Sequence, residues 1–181
     1  MNKISGIDFY NQWCNTLYLR KEEFIPLGFN SKAITGLIFK SENSIISELA
    51  NKFNLNCHCE YYFLDAIFYA NEDVIKEKKN NGLFLREIRI AFEHENYFNS
   101  GLYKELSHLL ITNADLKVLV SYPGGYDLIE ELEYLHTLIK GNTKSEIISE
   151  EESFLIILGH EANCTWQGYI YKEDNWKKIE T

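Results

Sequence analysis

The stretch LFLREIRIAFEHE, residues 83–95, decides how this chain is read. Ile88, Ile90 and Phe92 alternate with Arg89, Ala91 and Glu93, the period of two expected of a strand with one apolar face. The strand then finishes on two carboxylates one residue apart. Alternate side chains share a face, rising about 6.6–6.8 Å per two residues, so Glu93 and Glu95 point the same way. His94 points the other way, with Ile90 and Phe92, which makes it a packed histidine rather than a base.

Upstream, CHCEYYFLDAIFYA (57–70) is rich in aromatic and β-forming residues and reads as one long, largely buried strand. The polar NEDVIKEKKNNG (71–82), ending in Asn-Gly, connects it to the 83–95 strand, and the two pair antiparallel. Asp65 lies inside FLDAIF with apolar neighbours on both sides, an expensive place for a carboxylate without compensation.

Downstream the period changes. Leu102, Leu106, Leu109 and Leu110 mark a helix over roughly 101–112, and DLKVLVSYP (115–123) is a buried strand ending at Pro123. GGYDLIEELEYLHTLIK (124–140) is a helix with acids early and Lys140 late, the order the helix dipole favours. FLIILGH (154–160) and CTWQGYIYKED (164–174) form a closing β-hairpin. Near the start, Phe9, Trp13 and Leu17 space a helix over 8–23, and SENSIISELANKF (41–53) is a second helix. The fold class is α/β: a mixed central β-sheet flanked by helices. The chain is expected to form a single domain over 1–181, with an N-terminal helical extension (1–41), a core (42–122) and a C-terminal helix and strands (123–181).

Composition bounds the partners. The 181 residues are 45% hydrophobic and 14% aromatic, well away from a disordered chain, and the formal net charge is −9. A protein whose main task is gripping phosphates should be basic. No segment is apolar enough to span a membrane or to begin a secretory signal, and four scattered cysteines suit reduced thiols, so a cytoplasmic protein is expected. No nucleotide-binding G-x-x-x-x-G-K-[ST] and no G-x-S-x-G occurs. His108 and His136 lie on helices without partner spacing, and His160 follows a strand.

Asp65 can approach the Glu93 and Glu95 face if the two strands pair. Three carboxylates in a half-buried pocket repel one another unless they are protonated or neutralised by a divalent cation such as Mg²⁺. The competing reading is a structural ion-pair network with Arg86 or Arg89.

The succession of a helix, a strand bearing Asp in YYFLDAIFY, a strand ending in EHEN, a helix and the strand LKVLVSYP resembles the core of the PD-(D/E)xK, restriction endonuclease-like nuclease superfamily over roughly residues 42–122. The resemblance implies metal-assisted hydrolysis of DNA or RNA. Asp65 and Glu93, with the main-chain carbonyl of His94, would hold Mg²⁺ or Mn²⁺, and Glu95 would orient or deprotonate the attacking water. Glu95 stands where that family usually has lysine, and Lys104, one turn into the next helix, is the candidate replacement. Glu48 of the 41–53 helix is the candidate for the family's leading acid. The alternative partner, favoured by the net charge, is a basic protein covered by a non-catalytic acidic binder of immunity or inhibitor type.

Overall fold

The computed structural model describes residues 3–28, 30–40, 43–76, 82–160 and 163–180. Among these residues seven strands lie in one sheet in chain order: β1 (Asn56–Tyr61), β2 (Leu64–Tyr69), β3 (Ile88–Glu95), β4 (Ala114–Ser121), β5 (Phe154–His160), β6 (Thr165–Lys172) and β7 (Asn175–Lys178). The first three are antiparallel neighbours, β3, β4 and β5 are parallel, and β5, β6 and β7 are antiparallel again. Antiparallel neighbours need only a turn, whereas parallel ones need a crossover. Helix α5 (Phe98–Ile111) therefore joins β3 to β4, and α6 (Leu128–Lys140) with α7 (Ser145–Glu150) joins β4 to β5.

The sheet is covered on both faces. On one lie α1 (Gly6–Leu19), α2 (Lys21–Phe24), α3 (Ser31–Thr35) and α4 (Ile45–Lys52), whose Phe9, Trp13 and Leu49 belong to one core with Phe68, Phe92, Val118 and Ile157. On the other, Leu102, Leu106 and Leu109 of α5 and Ile139 of α6 pack with Ile67, Ala91, Leu119 and Ile156. Strands buried on both faces read as continuous apolar runs, which is why FLIIL carries no alternation. The helix starts follow local chemistry. The Ser5, Ser44 and Asp127 side chains accept hydrogen bonds from first-turn N–H groups of α1, α4 and α6, caps worth about 1 kcal/mol each.

Three sequence expectations are corrected. The 57–70 run is not one strand: it folds back at Tyr62–Phe63 into the β1–β2 hairpin, pairing Tyr61 with Leu64. Tyr62 takes φ 55°, a conformation usually signalled by Gly or Asn, so an all-aromatic tip hides the turn. β3 begins only at Ile88; residues 83–87 lie outside the named strands and meet the segment after β2 through an isolated bridge, Val74 to Leu85. The C-terminal hairpin gains a further strand, β7, and α7 precedes it. Of the expected Asn-Gly turn, Asn81 lies outside the described residues. All four cysteines are free thiols. No helix among the described residues is long and apolar enough to cross a membrane.

Candidate metal centre

The β2–β3 register pairs Ala66 with Phe92 and Ile67 with Ala91. Continued one step, it sets Asp65 opposite Glu93. The two carboxylates exchange main-chain contacts: the Asp65 N–H donates to Glu93 Oε2 at 3.0 Å, and the His94 N–H donates to Asp65 Oδ2 at 2.8 Å. Helix α5 then returns across the same face carrying Glu105 and His108. His108 Nδ1 lies 3.1 Å from Glu93 Oε1 and 3.2 Å from Glu105 Oε2. One donor atom from each of Glu93, Glu105 and His108 lies within 4.8 Å of the others, a group that could hold a metal ion. Glu93 is 1% exposed, and the Phe63 ring packs 5.2 Å from the His108 ring.

The electrostatics of this cluster are unbalanced. Burial pushes the Glu93 carboxyl well above the usual carboxylate range; repulsion from Asp65 adds to it, and the Asp65 N–H offsets only part. Asp65 is raised as well, first by burial and then by Glu105 and Glu95, against the opposing His94 N–H. Among the described residues no Lys or Arg forms an ion pair with Asp65, Glu93 or Glu105. The basic group that touches the cluster is His108. A buried group of like charges can be relieved by taking up protons or by taking up a cation.

The expected residues fare differently. Asp65 and Glu93 are brought together. Glu95 shares their face, but its Oε1 accepts the Tyr97 N–H at 2.7 Å. A side chain at Gly101 would collide with Glu95 Oε2, so the helix makes room for this carboxylate. Lys104 is exposed on α5. The His94 imidazole is on the opposite face, with Nε2 3.0 Å from the Tyr122 hydroxyl; burial pushes its pKa down to about 3. Only its main chain borders the cluster. Glu48 is on α4, beside Lys52 at 3.3 Å, with the other helical layer.

Two expectations fail. His108 is not without a partner: Glu93 faces it from β3, and it lies three residues after Glu105 on α5. Their spacing of three on a helix was visible, but their third partner comes from a strand. The arginine reading fails too: Arg89 shares the face of Glu93 but lies four residues away, about 13 Å along the strand, and pairs instead with Asp73, Glu87 and Asp115.

Comparisons with protein-family models, with curated proteins and with solved structures each found no match for this chain.

Proposed function

We propose that the chain is a divalent-metal-dependent hydrolase of nucleic acid phosphodiesters, working at the Glu93 cluster. The observation that carries this reading is a buried Glu93 meeting Asp65, Glu105 and His108 where no Lys or Arg neutralises the carboxylates among the described residues. Two features support it further. A strand bearing Asp65 lies antiparallel to the strand bearing Glu93, and a helix crossover follows to a parallel strand, in the order that the PD-(D/E)xK resemblance implies.

The donor set fits the ion. Carboxylate oxygens suit Mg²⁺ and Mn²⁺, and the imidazole nitrogen of His108 favours a transition-metal ion such as Mn²⁺ over Mg²⁺. Glu93, Glu105 and His108 would hold the ion, with Asp65 at their edge. A bound divalent ion supplies neutralisation of the charge developing on phosphate and a more acidic water. Glu95, on the same face with one oxygen held by the Tyr97 N–H, would take the proton of the attacking water. Lys104, exposed one residue before Glu105, offers a positive charge to the phosphate.

The test is cleavage of single- and double-stranded DNA and RNA with Mg²⁺ or Mn²⁺. Metal-dependent cleavage is expected, with Glu93→Gln lowering it by about two or more orders of magnitude, since a lost ligand removes the ion and its stabilisation of the transition state. The net charge of −9 favours a second reading, an acidic binder of a basic protein. No cleavage of any substrate with either metal, together with salt-sensitive capture of a stoichiometric basic partner, would replace the first reading by the second.

A further inference from the structure

We propose a second ligand site, independent of the metal centre: a pocket at the N-terminal ends of β3 and β4 that binds a phosphate dianion between Lys117 and Lys144.

The argument starts from the strand. Lys117 lies in the middle of the sheet, with Ala91 of β3 and Phe154 of β5 as its register partners. Its neighbours on the same face of β4 and β5 are apolar: Leu119 and Ile156 belong to the core beneath α5 and α6. A lysine at such a place is costly unless its charge is matched, because an ammonium loses its hydration on burial. Lys117 is only 6% exposed. Its ammonium donates to the main-chain oxygen of Ala114 at 3.2 Å. An ammonium has three donors, and among the described residues no carboxylate pairs with this one.

The side chain reaches a cavity of about 300 Å³ whose lining includes Lys144, Asn113 and Ser153. Carboxylates line it too, yet each is already engaged. Asp115 and Glu87 meet Arg89 at 3.3 Å and 2.9 Å, and Glu151 meets Lys3 at 3.0 Å. That leaves Lys117 and Lys144 as the cations of this cavity outside any ion pair among the described residues. They also act on each other: burial first, and then the nearby charges of Lys144 and Lys3, push the Lys117 amine down to about 8, against a smaller opposing pull from Glu151 and Asp115. An amine at that value is still mostly protonated at neutral pH.

An oxyanion with two negative charges resolves this arrangement. It accepts the spare Lys117 donors, replaces the repulsion between two ammonium groups with attraction to both, and finds neutral donors in Ser153 and Asn113. A single-charged carboxylate would match only one of the two lysines. The chemistry is therefore that of a phosphate, either the free ion or the terminal group of a phosphomonoester.

The test melts the full chain in EDTA-containing buffer, so that no divalent ion takes part, with inorganic phosphate, with adenosine monophosphate, and with sodium chloride at matched ionic strength. Phosphorus NMR line broadening is read on the same samples. A saturable rise in melting temperature of several degrees beyond the chloride control is expected. It should disappear in Lys117→Met, shrink in Lys144→Ala, and persist in Glu93→Gln. A response to both ligands assigns free phosphate, and one to the nucleotide alone assigns a phosphomonoester. Lys117→Met should itself melt no lower than the parent without ligand, since an apolar chain of similar length replaces a buried cation. If that variant does not fold, Lys144→Ala and the line broadening decide. No shift beyond chloride and no broadening, or a shift unchanged in both lysine variants, would overturn the proposal.

Discussion

At the N-terminal end of β3, Arg89 gathers Asp73, Glu87 and Asp115; at the C-terminal end of the same strand and on the same face, Glu93 gathers Asp65, Glu105 and His108. Asp73 and Glu93 are each 1% exposed. Burial acts on both in the same direction, toward the neutral acid. For Asp73 it is outweighed by the Arg89 hydrogen bonds and the Ala70 N–H, which hold its carboxyl below the usual range. For Glu93 it is reinforced by Asp65, and the carboxyl rises. Depth in the fold therefore does not separate a structural acid from a candidate ligand. What separates them is whether the fold supplies a permanent cation. Arg89 closes its cluster, and the Glu93 cluster stays open to a proton or a metal ion.

The largest expected effect falls on the closed cluster. Arg89→Met leaves a buried Asp73 without its partner and should cost about 3–5 kcal/mol, as breaking a buried pair from one side does. Urea unfolding at neutral pH measures it, and a loss below about 1 kcal/mol would erase the distinction between the two ends. At the open end the sign reverses. Glu93→Gln in metal-free buffer removes the cost of keeping this buried acid protonated at neutral pH and keeps an oxygen for the Asp65 N–H, so stability should rise by about 1 kcal/mol or more. Added Mn²⁺ should raise the melting temperature of the parent and leave this variant unmoved.

The pH dependence of the metal-free protein sharpens the same contrast. Glu93 has a folded pKa above its unfolded value of about 4.3. The folded state therefore holds its proton more tightly, and the stability this contributes is fully present below about pH 4.3. It is lost progressively as pH climbs through the neutral range toward the raised folded value. Glu93→Gln should flatten that decline between pH 5 and pH 8, as read from urea midpoints. Equal slopes in parent and variant would mean that the cluster does not hold the proton. The smallest effect belongs to Glu87, which meets Arg89 at 2.9 Å but is 43% exposed. Glu87→Gln should change stability by no more than about 0.5 kcal/mol, the size typical of an exposed pair.

How much of this was legible depended on the range of the signal. Helices α1, α4 and α6 announced themselves through apolar spacing and first-turn acids or caps, α5 through its leucine spacing alone, and β3, β4 and β5 through apolar runs and breaks at polar residues. The β1–β2 turn did not, because Tyr62 and Phe63 carry no turn chemistry and a run of aromatics looks the same whether straight or folded back. Of the site, Asp65 and Glu93 were readable as costly carboxylates near a strand pair. Glu105 and His108 were not, since in sequence they resemble any polar residues on the outer side of an amphipathic helix.

The sequence by itself determined which face of β3 each residue takes. Alternation along a strand is local backbone geometry, so Glu93 and Glu95 were bound to share a face and His94 to oppose them, wherever the strand was placed. Only the tertiary structure decided what those side chains meet. The rotation of α5 about its axis and its depth over the sheet are set by how Leu102, Leu106 and Leu109 seat on Ala91 and Leu119. That packing brings His108 between Glu93 and Glu105, and no spacing along the chain encodes a contact between a strand and the side of a helix whose position depends on the whole core.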